Sequence, residues 1–178
     1  MTRPRIVDPG ATLALSRRTT RRHFLLHPDE ARQMEQVYWY CLAYAAKLHG
    51  VLVHAACLMS THCHEVITDV RGEYPNFLET LHRNLALCTK AYRGWPEEVF
   101  NKRSTGVHAL LTPEAMMESI AYLIANSVEA GAVKRLRAFK AQYARTLAAW
   151  TGGDRSACFP EGTWWMRVCH GARCGQGP

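Results

Sequence analysis

The sequence contains no apolar run near the roughly 20 residues that a membrane-spanning helix requires, so a membrane protein of helical type is not expected. Its opening, MTRPRIVDPG, carries arginines but is not followed by the apolar core of a signal peptide. A cytoplasmic protein without a membrane partner is the expectation. No CxxC pair is present, and the seven cysteines are odd in number. Four of them, Cys41, Cys57, Cys63 and Cys88, fall inside apolar periodic segments, where a small buried thiol is the ordinary explanation. A disulfide framework is therefore not expected. There is no internal repeat, and acidic residues are few, 15 against 22 lysines and arginines.

What remains is a chain of 178 residues, 48% hydrophobic, which is enough apolar material for one packed domain. The division expected is a catalytic domain over 1–150 and an extension over 151–178, where the composition turns to Gly, Cys and paired Trp without a period. The excess positive charge of +7 is clustered. One cluster is Arg17, Arg18, Arg21 and Arg22; another is Lys134, Arg135, Arg137, Lys140 and Arg145. Clusters of this kind suit a polyanion, because neutralising phosphates releases condensed counterions. A merely solvated basic face is the plainer alternative.

Residues 11–20 alternate and carry threonine, which predicts a first strand. Pro28, Asp29 and Glu30 mark a helix start, with Val37, Cys41, Tyr44 and Leu48 at helical spacing until Gly50. VLVHAACLM (51–59) and HCHEVITDV (62–70) are β-rich runs separated by Ser60 and Thr61 alone, which predicts a hairpin. A second helix is predicted over 76–92, a short strand at VHALL (107–111), and a third helix from Thr112 and Pro113 to about Ser127. Lys134 to Trp150 has a helical, basic pattern. The order strand, helix, strand, strand, helix, strand, helix points to an α+β domain, an antiparallel sheet with packed helices.

Two constellations in this frame carry chemistry. His62 and His64 flank Cys63 on a predicted strand, and the period of two sends both imidazoles to one side. Two histidines at this spacing offer nitrogen ligands to one ion, or simply line a β-surface. On the third helix Tyr122 and Asn126 stand four residues apart, so a phenol and an amide share a face; a core aromatic and a helix-end asparagine fit the same spacing. Glu118, one turn before Tyr122, is either a proton acceptor or an exposed helix carboxylate.

LMSTHCHEVI (58–67) resembles the strand motif of the HUH single-stranded DNA nucleases. YLIANSVEAG (122–131) is similar to the tyrosine-helix motif of the IS200-like single-tyrosine transposases, above all the REP-associated group. FLETLHRNLA (77–86) and VFNKR (99–103) are similar to that group's middle helix and basic loop. The likeness runs over about residues 11–140 in the same order. Ser60 and Ser127 stand where the pattern has proline, Glu65 where it has an apolar residue, and Leu13 or Leu15 where it often has a polar one.

The resemblance implies a ferredoxin-like HUH domain acting on single-stranded and hairpin DNA, as a monomer or a homodimer. It implies Tyr122 as nucleophile and His62, His64 and Asn126 as ligands of Mg²⁺ or Mn²⁺. An ordinary tyrosine hydroxyl has a pKa near 10, so such a reaction needs a group that accepts its proton or favours its ionised form, and a nearby cation does the second. The implied product is a 5′-phosphotyrosine link with a free 3′ hydroxyl, which a second strand's hydroxyl can reverse. Arg17, Arg18, Arg21 and Arg22 are the residues expected to contact a hairpin away from Tyr122, with Lys102 and Arg103 on the basic loop. Trp95, Trp164 and Trp165 are candidates for stacking on unpaired bases or for self-packing. Two other functions stay open: a non-mobile relative that binds hairpins for its host, and a zinc-binding interaction module using Cys158, Cys169, His170 and Cys174.

Overall fold

The computed structural model describes residues 6–101 and 105–129. Lys102 and Arg103, the 134–150 segment with Tyr143, and the extension over 151–178 with its tryptophans and cysteines lie outside the described residues. The elements are β1 (Ala11–Arg18), α1 (Gln33–His49), β2 (Leu52–Met59), β3 (His62–Asp69), α2 (Tyr74–Arg93), β4 (Gly106–Ala109) and α3 (Pro113–Glu129). A 3₁₀ turn occupies Thr20–Arg22.

The four strands form one antiparallel sheet in the order β2-β3-β1-β4. Since β3 lies between β1 and β2, and β1 lies between β3 and β4, two split βαβ units interleave, which is the ferredoxin-like arrangement. The helix-bearing connections place α1 and α2 on one face. There Leu13, Leu15, Val53, Cys63 and Ile67 of the sheet pack against Val37, Tyr38, Cys41, Phe77, Leu81 and Leu85 of the helices. Each such side chain contributes about 1.5–3 kcal/mol by leaving water. A smaller cluster, Cys57, Met59, Val66 and Leu123, with Met116 and Ile120 against it, seats α3 on the other face.

Local chemistry shifts several boundaries from their expected places. α1 begins at Gln33 rather than at Pro28 because the Arg32 amide closes a turn on the Asp29 carbonyl and Arg32 adopts a left-handed conformation. The Asp29 carboxylate then accepts hydrogen bonds from the Gln33 and Met34 amides, capping the helix from outside. Asp69 does the same for α2 through Glu73 and Tyr74, so that helix starts two residues before Asn76. β1 ends at Arg18, since Thr19 turns to pair with Phe100. β4 stops at Ala109, leaving Leu111 exposed. Gly50, the expected stop, and Gly94 end α1 and α2 in left-handed conformations.

Glu65 is fully buried on the α1–α2 face of β3. The Tyr38 hydroxyl donates to its Oε1 at 2.7 Å. Burial pushes the Glu65 carboxyl up to about 7, against hydrogen bonds from Tyr38 and Cys63 that favour its ionised form. The residue that departs from the apolar pattern after His64 thus belongs to the core, not to the histidine face. All four described cysteines are buried thiols outside any disulfide, and among the described residues no helix is long and apolar enough to cross a membrane.

Candidate active site

The strand period sends Cys63, Glu65 and Ile67 into the main core and leaves His62, His64 and Val66 on the face that α3 covers. The His62 and His64 rings meet edge to face, with centroids 4.9 Å apart. The Tyr122 ring lies 6.1 Å from the His64 ring at 89°. These three rings, from β3 and α3, form one continuous group.

The seating of α3 explains why Tyr122 reaches this position. Met116, Ile120 and Leu123 recur at helical spacing and hold the helix to the sheet. Asn126 lies close to that inward stripe and is 8% exposed, whereas Tyr122 sits on its flank and is 51% exposed. The Asn126 Nδ2 is buried and has no hydrogen-bond partner among the described residues. A buried amide normally finds partners; a phosphate oxygen accepting its N–H would supply one.

Burial and the positive surroundings keep both imidazoles neutral. Burial, the neighbouring His64, Arg18 and Arg22 together hold His62 down at about 4. Burial and Arg18 lower His64 as well, while its hydrogen bond to the Leu15 main chain pulls the other way. A neutral imidazole has a lone pair to give to a metal. Among the described residues no group of three His, Cys, Asp or Glu side chains is gathered to hold an ion. The donors gathered here are the two imidazole nitrogens; a divalent ion would take the rest of its shell from other groups, such as an amide oxygen, phosphate and water.

The arginine cluster does not lie in one place. Antiparallel pairing sets Arg18 opposite His62 and Ser16 opposite His64, so Arg18 stands at the histidine pair rather than away from it. Arg22 is close enough to depress His62 too. Arg17 points to the opposite face, where its Nη2 donates to the Asn101 carbonyl at 2.8 Å and its guanidinium covers the Phe100 ring. It borders a cleft of about 630 Å³ that also has His82, Arg83 and Lys90 in its wall. Arg21 is exposed and pairs with Glu97 at 3.4 Å. Trp95 packs against His23, at 5.0 Å between ring centroids, so its ring is committed within the fold.

Ser16 and Thr61 belong to this neighbourhood; Thr61 lies inside the LMSTHCHEVI motif without a role of its own in it, and no motif contains Ser16. Ser16 enters only through the β1–β3 register, which a sequence does not display. Gly106 stands opposite Ser16 on β4, where an added Cβ would lie 2.6 Å from the Ser16 hydroxyl.

The chain is similar in structure to a REP-associated tyrosine transposase bound to a REP hairpin, with a TM-score of 0.60, 16% identity, and coverage of 76% of this chain and 78% of that one. The fold is shared. A protein from Deinococcus radiodurans R1, provisionally described as a transposase, aligns with a TM-score of 0.47 at 21% identity, over 71% of this chain and 97% of that one. No family model and no curated protein matches the chain.

Proposed function

We propose that this protein is a single-tyrosine nuclease and strand transferase acting on single-stranded DNA next to hairpins. The observation that carries the reading is the ring group itself: two neutral histidines on one strand face, with the Tyr122 ring against the second of them. Tyr122 is the nucleophile. Its Oη forms a bond to phosphorus, the bond from phosphorus to the 3′ oxygen breaks, and the leaving 3′ oxygen takes up a proton. The phosphotyrosine that results retains the phosphodiester's energy, so a 3′ hydroxyl of another strand can reverse the attack.

His62, His64 and Asn126 are the residues that would hold a divalent ion, Mg²⁺ or Mn²⁺, which when bound polarises a non-bridging phosphate oxygen and offsets the charge that develops there. Arg18 and Arg22, beside the histidines, attract the phosphates flanking the scissile one. Arg21, on its exposed turn, and Arg17, in the cleft of the opposite face, are the proposed hairpin contacts, with Lys102 and Arg103 of the basic loop. The likeness to a transposase bound to a REP hairpin supports the hairpin as substrate class.

The direct test incubates the protein with end-labelled hairpin DNA bearing single-stranded flanks, in Mg²⁺ or Mn²⁺, and resolves the products on a denaturing gel. A labelled band at the mass of protein plus DNA is expected. Fully duplex DNA of the same sequence should give little of it, because a paired strand does not reach the site. Absence of the band with every metal, together with tight hairpin binding, would favour the non-mobile hairpin-binding relative.

The divided arginines give a second test. Arg18→Gln with Arg22→Gln should flatten the dependence of log affinity on log salt for single strands by roughly 1.4, at about 0.7 for each phosphate that is no longer neutralised. Arg17→Gln should leave that slope unchanged and weaken hairpin binding alone. Equal effects of both variants on both substrates would return the cluster to nonspecific attraction.

A further inference from the structure

A neutral imidazole carries one proton, on either nitrogen, and only the other nitrogen can ligate. Which nitrogen of His62 is available therefore depends on what its ring touches. The Thr61 Oγ1 lies 2.9 Å from the His62 Nδ1. That is a full-strength hydrogen-bond distance, and it engages Nδ1, leaving Nε2 as the nitrogen without this contact.

Thr61 is itself anchored. Its carbonyl accepts a hydrogen bond from the Thr19 amide at 2.8 Å, and the Thr19 Oγ1 lies 2.9 Å from the same oxygen. Thr19 is buried, and its hydroxyl also lies 2.8 Å from the His23 carbonyl. The neighbouring Ser60 carbonyl accepts from the Leu26 amide at 3.0 Å. The two-residue connection between β2 and β3 is thus fastened at both positions to the segment following β1. A hairpin turn fixed this way has little freedom to let the Thr61 hydroxyl drift from the imidazole.

We infer that Thr61 is a positioning residue: its hydroxyl accepts the Nδ1–H of His62 and so keeps the lone pair on Nε2. This rests on the proposed function for what the lone pair meets, but the tautomer itself is a property of the metal-free protein. The hydroxyl works as an outer partner of a ligating histidine, a place where losing the partner typically weakens metal affinity by about 10–100-fold. Threonine is well suited to the task, because its branched Cβ restricts χ1 and holds the oxygen in one direction.

The experiment uses full-length protein labelled with ¹⁵N-histidine, without added metal, in wild-type form and as Thr61→Val and Thr61→Ser. Long-range ¹H–¹⁵N correlation spectra report which nitrogen of each imidazole is protonated. His62 is expected to be protonated on Nδ1 in wild type and in Thr61→Ser. In Thr61→Val, which retains shape and branching, His62 should move toward the Nε2–H form while His64 stays as it was. Co²⁺ titration should then show affinity about tenfold weaker for Thr61→Val and near wild type for Thr61→Ser. An unchanged His64 spectrum guards against a folding defect being mistaken for the effect. A wild-type His62 protonated on Nε2, or a His62 tautomer unmoved by Thr61→Val, would overturn the inference. Should the tautomer follow Thr61 as expected while wild type takes up no Co²⁺, the positioning role would stand and the ion-binding part of the proposed function would fall.

Discussion

Tyr122→Phe should abolish the covalent protein–DNA adduct, lowering strand cleavage by more than about 10⁴-fold, the scale on which an enzyme responds to loss of its nucleophile. Binding to the same DNA should stay close to wild type. The change deletes one oxygen and nothing else: the ring keeps its edge-to-face contact with His64, 6.1 Å between centroids. Because the side chain is half exposed, stability should move by no more than about 0.5 kcal/mol. A denaturing gel with labelled DNA, run beside an equilibrium binding measurement, separates the two quantities. Persistence of the adduct in Tyr122→Phe would mean that another residue attacks phosphorus, and the proposed role of α3 would fail. Loss of binding along with the adduct would mean instead that the hydroxyl holds the DNA, and the kinetic loss could not be assigned to chemistry.

Much of this geometry is legible in the sequence because it depends on short-range rules. Alternation along 62–70 puts His62 and His64 on one face, and helical spacing puts Tyr122 beside Asn126; both rules act within a single element. Thr112 and Pro113 mark the start of α3, where the Thr112 hydroxyl accepts the Ala115 amide at 3.2 Å. What is not legible depends on register between elements. That Arg18 stands opposite His62 follows from an antiparallel ladder in which β1 ends where β3 begins, and nothing local to RRTTRR announces it. The same ladder separates Arg17 from Arg18 by a whole sheet thickness, so four arginines close in sequence serve two faces.

The start of α1 departs from its expected place for a different reason. Pro28, Asp29 and Glu30 have the composition of a first helical turn, yet the Asp29 side chain caps a helix that begins at Gln33, with Arg32 held left-handed and its guanidinium bonded to Glu35 at 2.7 and 2.8 Å. Composition does not distinguish a residue inside the first turn from one that caps it from four residues away. Glu65 shows the opposite case. Its place in the alternation predicts an inward side chain, and only the structure supplies Tyr38, the partner that makes a buried carboxyl tolerable.

His64→Ala should remove cleavage as completely as a gel can register, by about 10³-fold or more, through a route that Tyr122→Phe does not share. The substitution takes away one nitrogen of the proposed ion site and the ring against which Tyr122 packs. The imidazole is neutral and half-buried, lowered in pKa by burial and by Arg18, so no charge is lost and the nearby phosphate-attracting arginines are untouched. DNA binding should accordingly survive, and stability should fall by only about 1 kcal/mol, the usual cost of a single substitution. The distinguishing readout is the response to metal concentration. With two ligands left, His62 and Asn126, the variant should recover part of its cleavage as Mn²⁺ is raised well beyond what saturates wild type, since mass action offsets weakened affinity. Tyr122→Phe should recover none at any concentration, because the missing group is an oxygen of the protein. Full cleavage by His64→Ala at ordinary Mg²⁺ would remove the histidine pair from the mechanism. Loss of cleavage that no Mn²⁺ concentration restores, accompanied by unchanged metal affinity, would reassign His64 from ion ligand to the residue that orients Tyr122.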